Sequence, residues 1–121
     1  MSELYIGTDL VDIGRIKISI EKYQIKFLDR VFSAEEQEYC QSKSNPAIHY
    51  AGRFAAKEAV IKSIKSSGFD HPIDLRSIRI INNADGSPHV DLDIKYNGLV
   101  KVSISHTETH AIAFALSELN H

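Results

Sequence analysis

The apolar residues of this chain pass from helical to strand-like spacing near Gly68, and that change favours folds that keep most helices and strands apart. Ile13, Ile16, Ile20, Tyr23 and Phe27 recur at helical intervals, while Arg15, Lys22, Lys26 and Arg30 gather on another side. The spacing predicts one amphipathic helix with a cationic face. Ser33 followed by Glu35 and Glu36 has the form of an N-cap with acidic first-turn residues, opening a short helix through about Gln41. A loop follows over 42–46. Residues 47–66 are rich in Ala, Lys, Glu and Ile, with Gly68 just beyond as a stop, which marks the longest helix.

After Gly68 the period shortens, and residues 77–81, 88–94, 99–105 and 111–116 read as strands. Asp85-Gly86 ahead of Ser87-Pro88 is a turn signal, and residues 107–109 suit a tight connection between the last two strands. The C-terminal half is therefore expected to be an antiparallel meander. A short strand over 4–11, carrying Gly7 and Asp9, precedes the helices. Strand, helices and then antiparallel sheet place the chain in the α+β class.

With 121 residues, 43% apolar and 25% charged, one domain over 1–121 is expected and a second core is not. A domain this small buries a modest share of its surface, so association is a reasonable route to stability. The net charge of -2 supplies no global basic field for nucleic acid or a membrane surface, so anion recognition has to be local. The single cysteine, Cys40, cannot form an internal disulfide and has no zinc-type partner. No apolar run approaches the roughly 20 residues that span a bilayer, and the opening residues do not read as a secretory signal. The expectation is a soluble, cytoplasmic protein.

Three groups of residues carry potential chemistry. On the long helix, Arg53, Lys57, Glu58, Lys62 and Lys65 lie within little more than three turns. Glu58 and Lys62 are an i,i+4 pair, whereas Arg53 and Lys57 are like charges four apart, which is unfavourable unless an anion such as phosphate lies between them. A solvated helix with one ordinary salt bridge explains the same residues. Next, Val102 and Ile104 can face the core while Ser103 and Ser105 alternate away, leaving His106 and Thr107 where the strand turns. Hydroxyls and an imidazole there suit a phosphate, or they satisfy a hairpin. No GxSxG elbow supports a Ser-His-Asp hydrolase.

The third group is Gly7-Thr8-Asp9-Leu10-Val11-Asp12. An aspartate within an apolar strand must be hydrated, paired or metal-bound, because burying a bare carboxylate is costly. Hard oxygen ligands such as Asp9 and Glu58 suit Mg²⁺, which takes one or two protein carboxylates and completes its shell with waters and phosphate oxygens. Asp12 is placed equally well to cap the helix starting at Ile13.

In three segments the chain resembles the holo-acyl carrier protein synthases, the small group of 4'-phosphopantetheinyl transferases. These are Gly7-Thr8-Asp9-Leu10-Val11-Asp12-Ile13 with Arg15, then Ala51-Gly52-Arg53-Phe54-Ala55-Ala56-Lys57-Glu58-Ala59, and Val102-Ser103-Ile104-Ser105-His106-Thr107. Asp85-Gly86-Ser87-Pro88 looks like the family's Gly-x-Pro turn, and the resemblance runs over nearly the full chain. Thr8 stands where the family usually has an aliphatic residue, and the stretch over 90–99 leaves little room for a helix that longer relatives carry.

The resemblance implies a phosphopantetheinyl transferase fold and a Mg²⁺-dependent enzyme of fatty acid biosynthesis. Such an enzyme moves 4'-phosphopantetheine from coenzyme A to a serine of apo-acyl carrier protein and releases 3',5'-ADP. Asp9 and Glu58 match the family's metal-binding acids, and Glu58 and Lys62 are expected to act in transfer, with Glu58 or a metal-bound water as base. Arg53, Lys57, Lys62, Ser105, His106 and Thr107 match or neighbour positions that hold coenzyme A phosphates. Arg15, Lys22 and Lys26 match the region that docks the carrier. The resemblance also implies a homotrimer with sites between subunits. A trimeric scaffold without turnover, and a transferase serving polyketide or peptide synthetase carriers, are the competing functions.

Overall fold

The computed structural model describes residues 2–120. An initial strand β1 (Ser2–Asp12) leads into helices α1 (Ile13–Tyr23), α2 (Ile25–Val31), α3 (Ala34–Gln41) and α4 (Pro46–Ser66). A 3₁₀ turn at Leu75–Ser77 precedes β2 (Ile78–Asn82), β3 (Pro88–Leu92), β4 (Leu99–His106) and β5 (His110–Asn120). The α+β class holds. The strands form two antiparallel sheets, one of order β1-β5-β4 and one made of β2 and β3.

The expected meander is thereby corrected. β1 pairs with β5 along its whole length, from Ser2 opposite Asn120 to Asp12 opposite His110, so the sheet recruits the N-terminal strand as its third member. β3 and β4 are joined through residues 93–98 and fall in different sheets. The single amphipathic helix expected from Ile13 through Phe27 is also divided. Gln24 takes a left-handed φ of 50°, its N–H bonding back to Ile20 O at 2.8 Å, and the chain restarts as α2. The short helix after Ser33 forms as read, with a complete capping box between Ser33 and Glu36.

Helix α4 lies on the inner face of the larger sheet. Side chains alternate along β5, so that Ala111, Ala113, Ala115 and Ser117 are buried while Ile112 and Phe114 are exposed. Ala51, Ala55, Ala56 and Ala59 of α4 are fully buried in the same core, and small residues on both sides let helix and sheet approach closely. The approach is tightest at Gly7, where a Cβ would stand 2.2 Å from Ala59 O and 2.7 Å from Ser63 N. Ser63 and Ser117 share a hydrogen bond of 2.7 Å within this layer, which satisfies both hydroxyls away from water.

The smaller sheet is tied to the helices by a buried ion pair. Lys57 Nζ donates to Glu36 Oε1 at 2.7 Å and to Leu75 O at 3.1 Å, and also to Ile78 O. Glu36 Oε1 accepts from Ser33 N at 2.9 Å and Oε2 from Ile80 N at 2.9 Å. One carboxylate thus joins α3, α4 and β2. Burial pushes the Cys40 thiol up to about 12, which keeps it a neutral core side chain.

Because the two nearest atoms that a Gly7 side chain would meet are backbone atoms of α4 and the third is the Cβ of Lys62, Gly7→Ala cannot be absorbed by a rotamer change. Urea unfolding is expected to show a loss of about 3 kcal/mol, the upper end for overpacking. An unchanged midpoint would mean that strand and helix separate freely.

Candidate active site

Asp9 reaches α4 because it shares the inner face of β1 with Gly7 and Val11, both buried, while Leu4, Ile6, Thr8 and Leu10 point to the outer face. On α4, Glu58 and Lys62 are one turn apart, and both come to Asp9. Lys62 Nζ donates to Thr8 O at 2.9 Å and to Asp9 Oδ1 at 3.2 Å. Burial raises the Glu58 pKa, the neighbouring Asp9 charge raises it further, and Lys62 partly offsets both. Two carboxylates and an ammonium therefore converge at one point between strand and helix.

The cavity beside them is lined by Asp9, Leu10, Val11, Asp12, Arg15, Ile16, Phe54, Glu58 and His110. Asp12 caps α1, its Oδ1 accepting from Arg15 N at 3.2 Å, and its Oδ2 lies 3.9 Å from His110 Nε2. His110 was not singled out by the sequence. Its place follows from the β1–β5 register, which sets it opposite Asp12, and no local pattern announces a pairing between residues so far apart in the chain.

The cationic residues expected to bind phosphate divide between two environments. Lys57 is fully buried and donates to three protein acceptors. Burial lowers its pKa, against the attraction of Glu36. Its ammonium serves the core in this geometry and has no donor left for a ligand, so the expectation of a phosphate contact from Lys57 is replaced by a structural role. Arg53 is only 5% exposed. Its guanidinium stacks 3.9 Å from the centre of the Tyr39 ring, and Nη2 donates to Asn82 Oδ1. The like charges at 53 and 57 thus turn to different partners, Lys57 to the Glu36 carboxylate and Arg53 to a ring face.

Ser105 and His106 are exposed at the end of β4, with Val102 and Ile104 turned inward as the alternation required. Thr107 Oγ1 accepts from Thr109 N at 3.2 Å and His110 N at 3.1 Å, so this hydroxyl closes the turn between β4 and β5. The carrier-docking candidates stay on the surface but not on one helix. Arg15 lines the Asp9–Glu58 cavity. Lys26 and Arg30 line a separate groove with Tyr23 and Phe27, and Lys22 sits 5.2 Å over the Tyr23 ring.

A Mg²⁺ ion fits what Asp9 and Glu58 offer, two hard carboxylates held close enough for one to raise the other's pKa. Lys62, on Asp9, is the cation in place there.

A sequence profile of the 4'-phosphopantetheinyl transferase superfamily matches residues 5–115. The holo-[acyl-carrier-protein] synthase of Protochlamydia amoebophila is 43% identical over 118 residues, covering 93% of this chain and 96% of that protein. That of Chlorobaculum parvum is 42% identical over 112 residues, covering 92% and 95%. Among solved structures, the Helicobacter pylori holo-[acyl-carrier-protein] synthase in complex with coenzyme A superposes with a TM-score of 0.79 at 31% identity, covering 91% of this chain and 96% of that one. The Chronobacterium ammoniagenes ACPS-CoA complex gives 0.86 at 25% identity, covering 98% and 99%.

The raised Glu58 pKa has a measurable consequence. A carboxyl whose pKa is higher folded than unfolded favours folding while protonated, and that contribution is lost as pH rises through its folded value. In a carbon-detected NMR titration of the metal-free protein, Glu58 should titrate above an ordinary glutamate. Asp9→Asn should lower that midpoint without normalising it, since burial is the larger cause. A Glu58 midpoint unmoved by Asp9→Asn would show that the two carboxylates do not interact.

Proposed function

The chain belongs to the 4'-phosphopantetheinyl transferase superfamily, and from this we infer that it carries out the holo-[acyl-carrier-protein] synthase reaction. It moves 4'-phosphopantetheine from coenzyme A to a serine of apo-acyl carrier protein and releases 3',5'-ADP. The observation that carries this reading is the meeting of Asp9, Glu58 and Lys62 beside an open cavity. The carrier's serine oxygen attacks the phosphorus that bears pantetheine, and the bond from that phosphorus to the 3',5'-ADP oxygen breaks.

The chain's own residues do three things here. Glu58, with its raised pKa, is suited to take the serine proton. Lys62 is about half exposed at its side chain, so its ammonium is available to the negative charge that moves onto the leaving phosphate. Asp9 orients Lys62 through their ion pair. Asp9 and Glu58 together are the residues that would hold Mg²⁺, which supplies charge neutralisation of the pyrophosphate when bound.

The surface over α1 and α2 suits an acidic carrier helix, because cations and exposed apolar residues alternate there. Arg15, Lys22 and Lys26 are interleaved with Ile18, Tyr23 and Ile25, all three more than half exposed. Apolar contacts of this kind add affinity, while the charges add rate and specificity. Assembly as a homotrimer with sites between subunits belongs to the same proposal. It is supported by the exposed apolar outer face of the large sheet, made by Leu4, Ile6, Leu10, Ile112 and Phe114. A cytoplasmic location completes the reading. Among the described residues, no helix is long and apolar enough to cross a membrane.

Intact-protein mass spectrometry of apo-acyl carrier protein with this protein, coenzyme A and Mg²⁺ should show a gain of one phosphopantetheine. The gain should vanish with EDTA and with Asp9→Ala, whose fold should persist by circular dichroism. A folded protein that binds coenzyme A without any mass gain on the carrier would favour the scaffold. Separately, Arg15→Glu or Lys22→Glu should weaken carrier binding well beyond coenzyme A binding in calorimetry. Equal losses for both ligands would remove the docking surface.

A further inference from the structure

Asp9 carries two roles that conflict. It is the ion-pair partner of Lys62, whose Nζ lies 3.2 Å from its Oδ1, and it is one of the two carboxylates suited to a divalent cation. An ammonium and a divalent cation on one carboxylate repel each other even when they sit on different oxygens, because a few ångströms of partly desolvated space screen them poorly. Occupation of Asp9 by one therefore opposes occupation by the other.

The geometry shows which partner can yield. The Asp9 side chain is 18% exposed and fixed by its strand, whereas that of Lys62 is 54% exposed and carried on a flexible four-carbon stem. The two also belong to different spaces. Asp9 and Glu58 line the acid cavity without Lys62, while Lys62 lines a neighbouring groove with Gly7, Thr8, Lys65 and Ser66. The ammonium thus comes to Asp9 from the groove, and a cation shared by the two carboxylates comes from the cavity. The other bond of Lys62, 2.9 Å to Thr8 O, does not involve the carboxylate, so the side chain can leave Asp9 without losing every acceptor. Its charge also reaches Glu58, lowering the pKa that burial and Asp9 raise. One ammonium thereby acts on both acids.

An anion beside the groove would draw Lys62 away, and the pyrophosphate of coenzyme A is such an anion. We propose that Lys62 is an internal competitor for the metal: its ammonium holds the place beside Asp9 until the coenzyme's pyrophosphate takes it over, so that metal and coenzyme A bind well only together. This proposal rests on the reading of Asp9 and Glu58 as the holders of Mg²⁺ and of coenzyme A as the substrate. Its consequence is one of order. Free metal is kept from settling between the two acids without substrate. Because such coupling is reciprocal, metal tightens coenzyme A by the same factor by which coenzyme A tightens metal.

The test measures Mn²⁺ binding by electron paramagnetic resonance at one fixed pH, on protein without coenzyme A, since Mn²⁺ takes the same oxygen ligands as Mg²⁺. Lys62→Met should bind Mn²⁺ about tenfold more tightly than the wild type, the scale of removing one nearby like charge from a partly exposed site. Lys62→Arg, which keeps the charge, should bind no more tightly than the wild type. Lys65→Met should match the wild type too, because it removes a cation that is tied to His71 O at 2.9 Å instead. Asp9→Asn combined with Lys62→Met should cancel the gain. Adding coenzyme A should then tighten Mn²⁺ on the wild type about tenfold more than on Lys62→Met. Unchanged or weaker Mn²⁺ binding by Lys62→Met would leave Lys62 as a structural prop for Asp9 and overturn the proposal. An equal gain in Lys65→Met or Lys62→Arg, or a gain that survives Asp9→Asn, would do the same. If neither the wild type nor Lys62→Met binds Mn²⁺, with or without coenzyme A, the metal reading itself falls, and this proposal with it.

Discussion

The close crossing of β1 over α4 at Gly7 sets the geometry on which the rest of the structure depends. With a backbone carbonyl of the helix 2.2 Å from where a Cβ would stand, strand and helix are fixed in one relative position. Two residues along the same strand face, Asp9 meets the turn of α4 that carries Glu58 and Lys62. The period of two in the strand and 3.6 in the helix then brings an acid from each element to one place. Since β1 is also the partner of β5 along its full length, the contact that forms the site also closes the sheet. The meeting of Asp9, Glu58 and Lys62 is thus a by-product of core packing, held by residues such as Gly7 that carry no charge.

The charged run on α4 shows how one helix distributes like residues to different tasks. Arg53 turns to a ring face and an amide, Lys57 enters the core against Glu36, Glu58 stays half-buried beside Asp9, and Lys62 spans back to β1. Lys65 caps a loop carbonyl at His71. Glu36 makes the difference for Lys57. It is already committed by its capping box to a fixed position at the start of α3, and so offers Lys57 a carboxylate whose other oxygen is satisfied by Ile80 N. A buried pair is weak evidence for stability, because desolvation offsets its attraction. Its effect is positional, keeping the β2–β3 hairpin against the helix near Arg53.

What the sequence disclosed and what it hid follow from the range of the interactions involved. Helix α4 was legible because its Ala-rich composition and Gly68 act within a few residues, and α3 because Ser33 and Glu36 form a local box. The break at Gln24 was not, since glutamine is no helix breaker and nothing in the local sequence signals its positive φ. The pairing of β1 with β5 joins the two ends of the chain, and a period of two states only that each is a strand, not which strand it meets. For the same reason Asp9 and Glu58 could be singled out, whereas His110, which depends on register, could not. Lys57 and Lys62 are alike in sequence, and only the docking of α3 and β2 decides which one is internal.

The acid pair and the cationic Arg53 diverge on one chain. Arg53 and Glu58, five residues apart, project roughly 140° from each other around a helix of 3.6 residues per turn, and their cavities have no lining residue in common. A coenzyme that engages both therefore needs either a long path around α4 or the Arg53 of a second copy beside the acid pair of the first. The outer face of the sheet favours the second arrangement. Leu10 on β1 and Ile112 on β5 are both exposed and stand opposite each other in the register, directly behind the segment that presents Asp9. Covering that apolar face with another chain would bring new surface to the rim of the acid cavity. Association would then do more for this small domain than add burial: it would assemble the substrate site, and activity would depend on protein concentration in a way that the stability of the single chain does not.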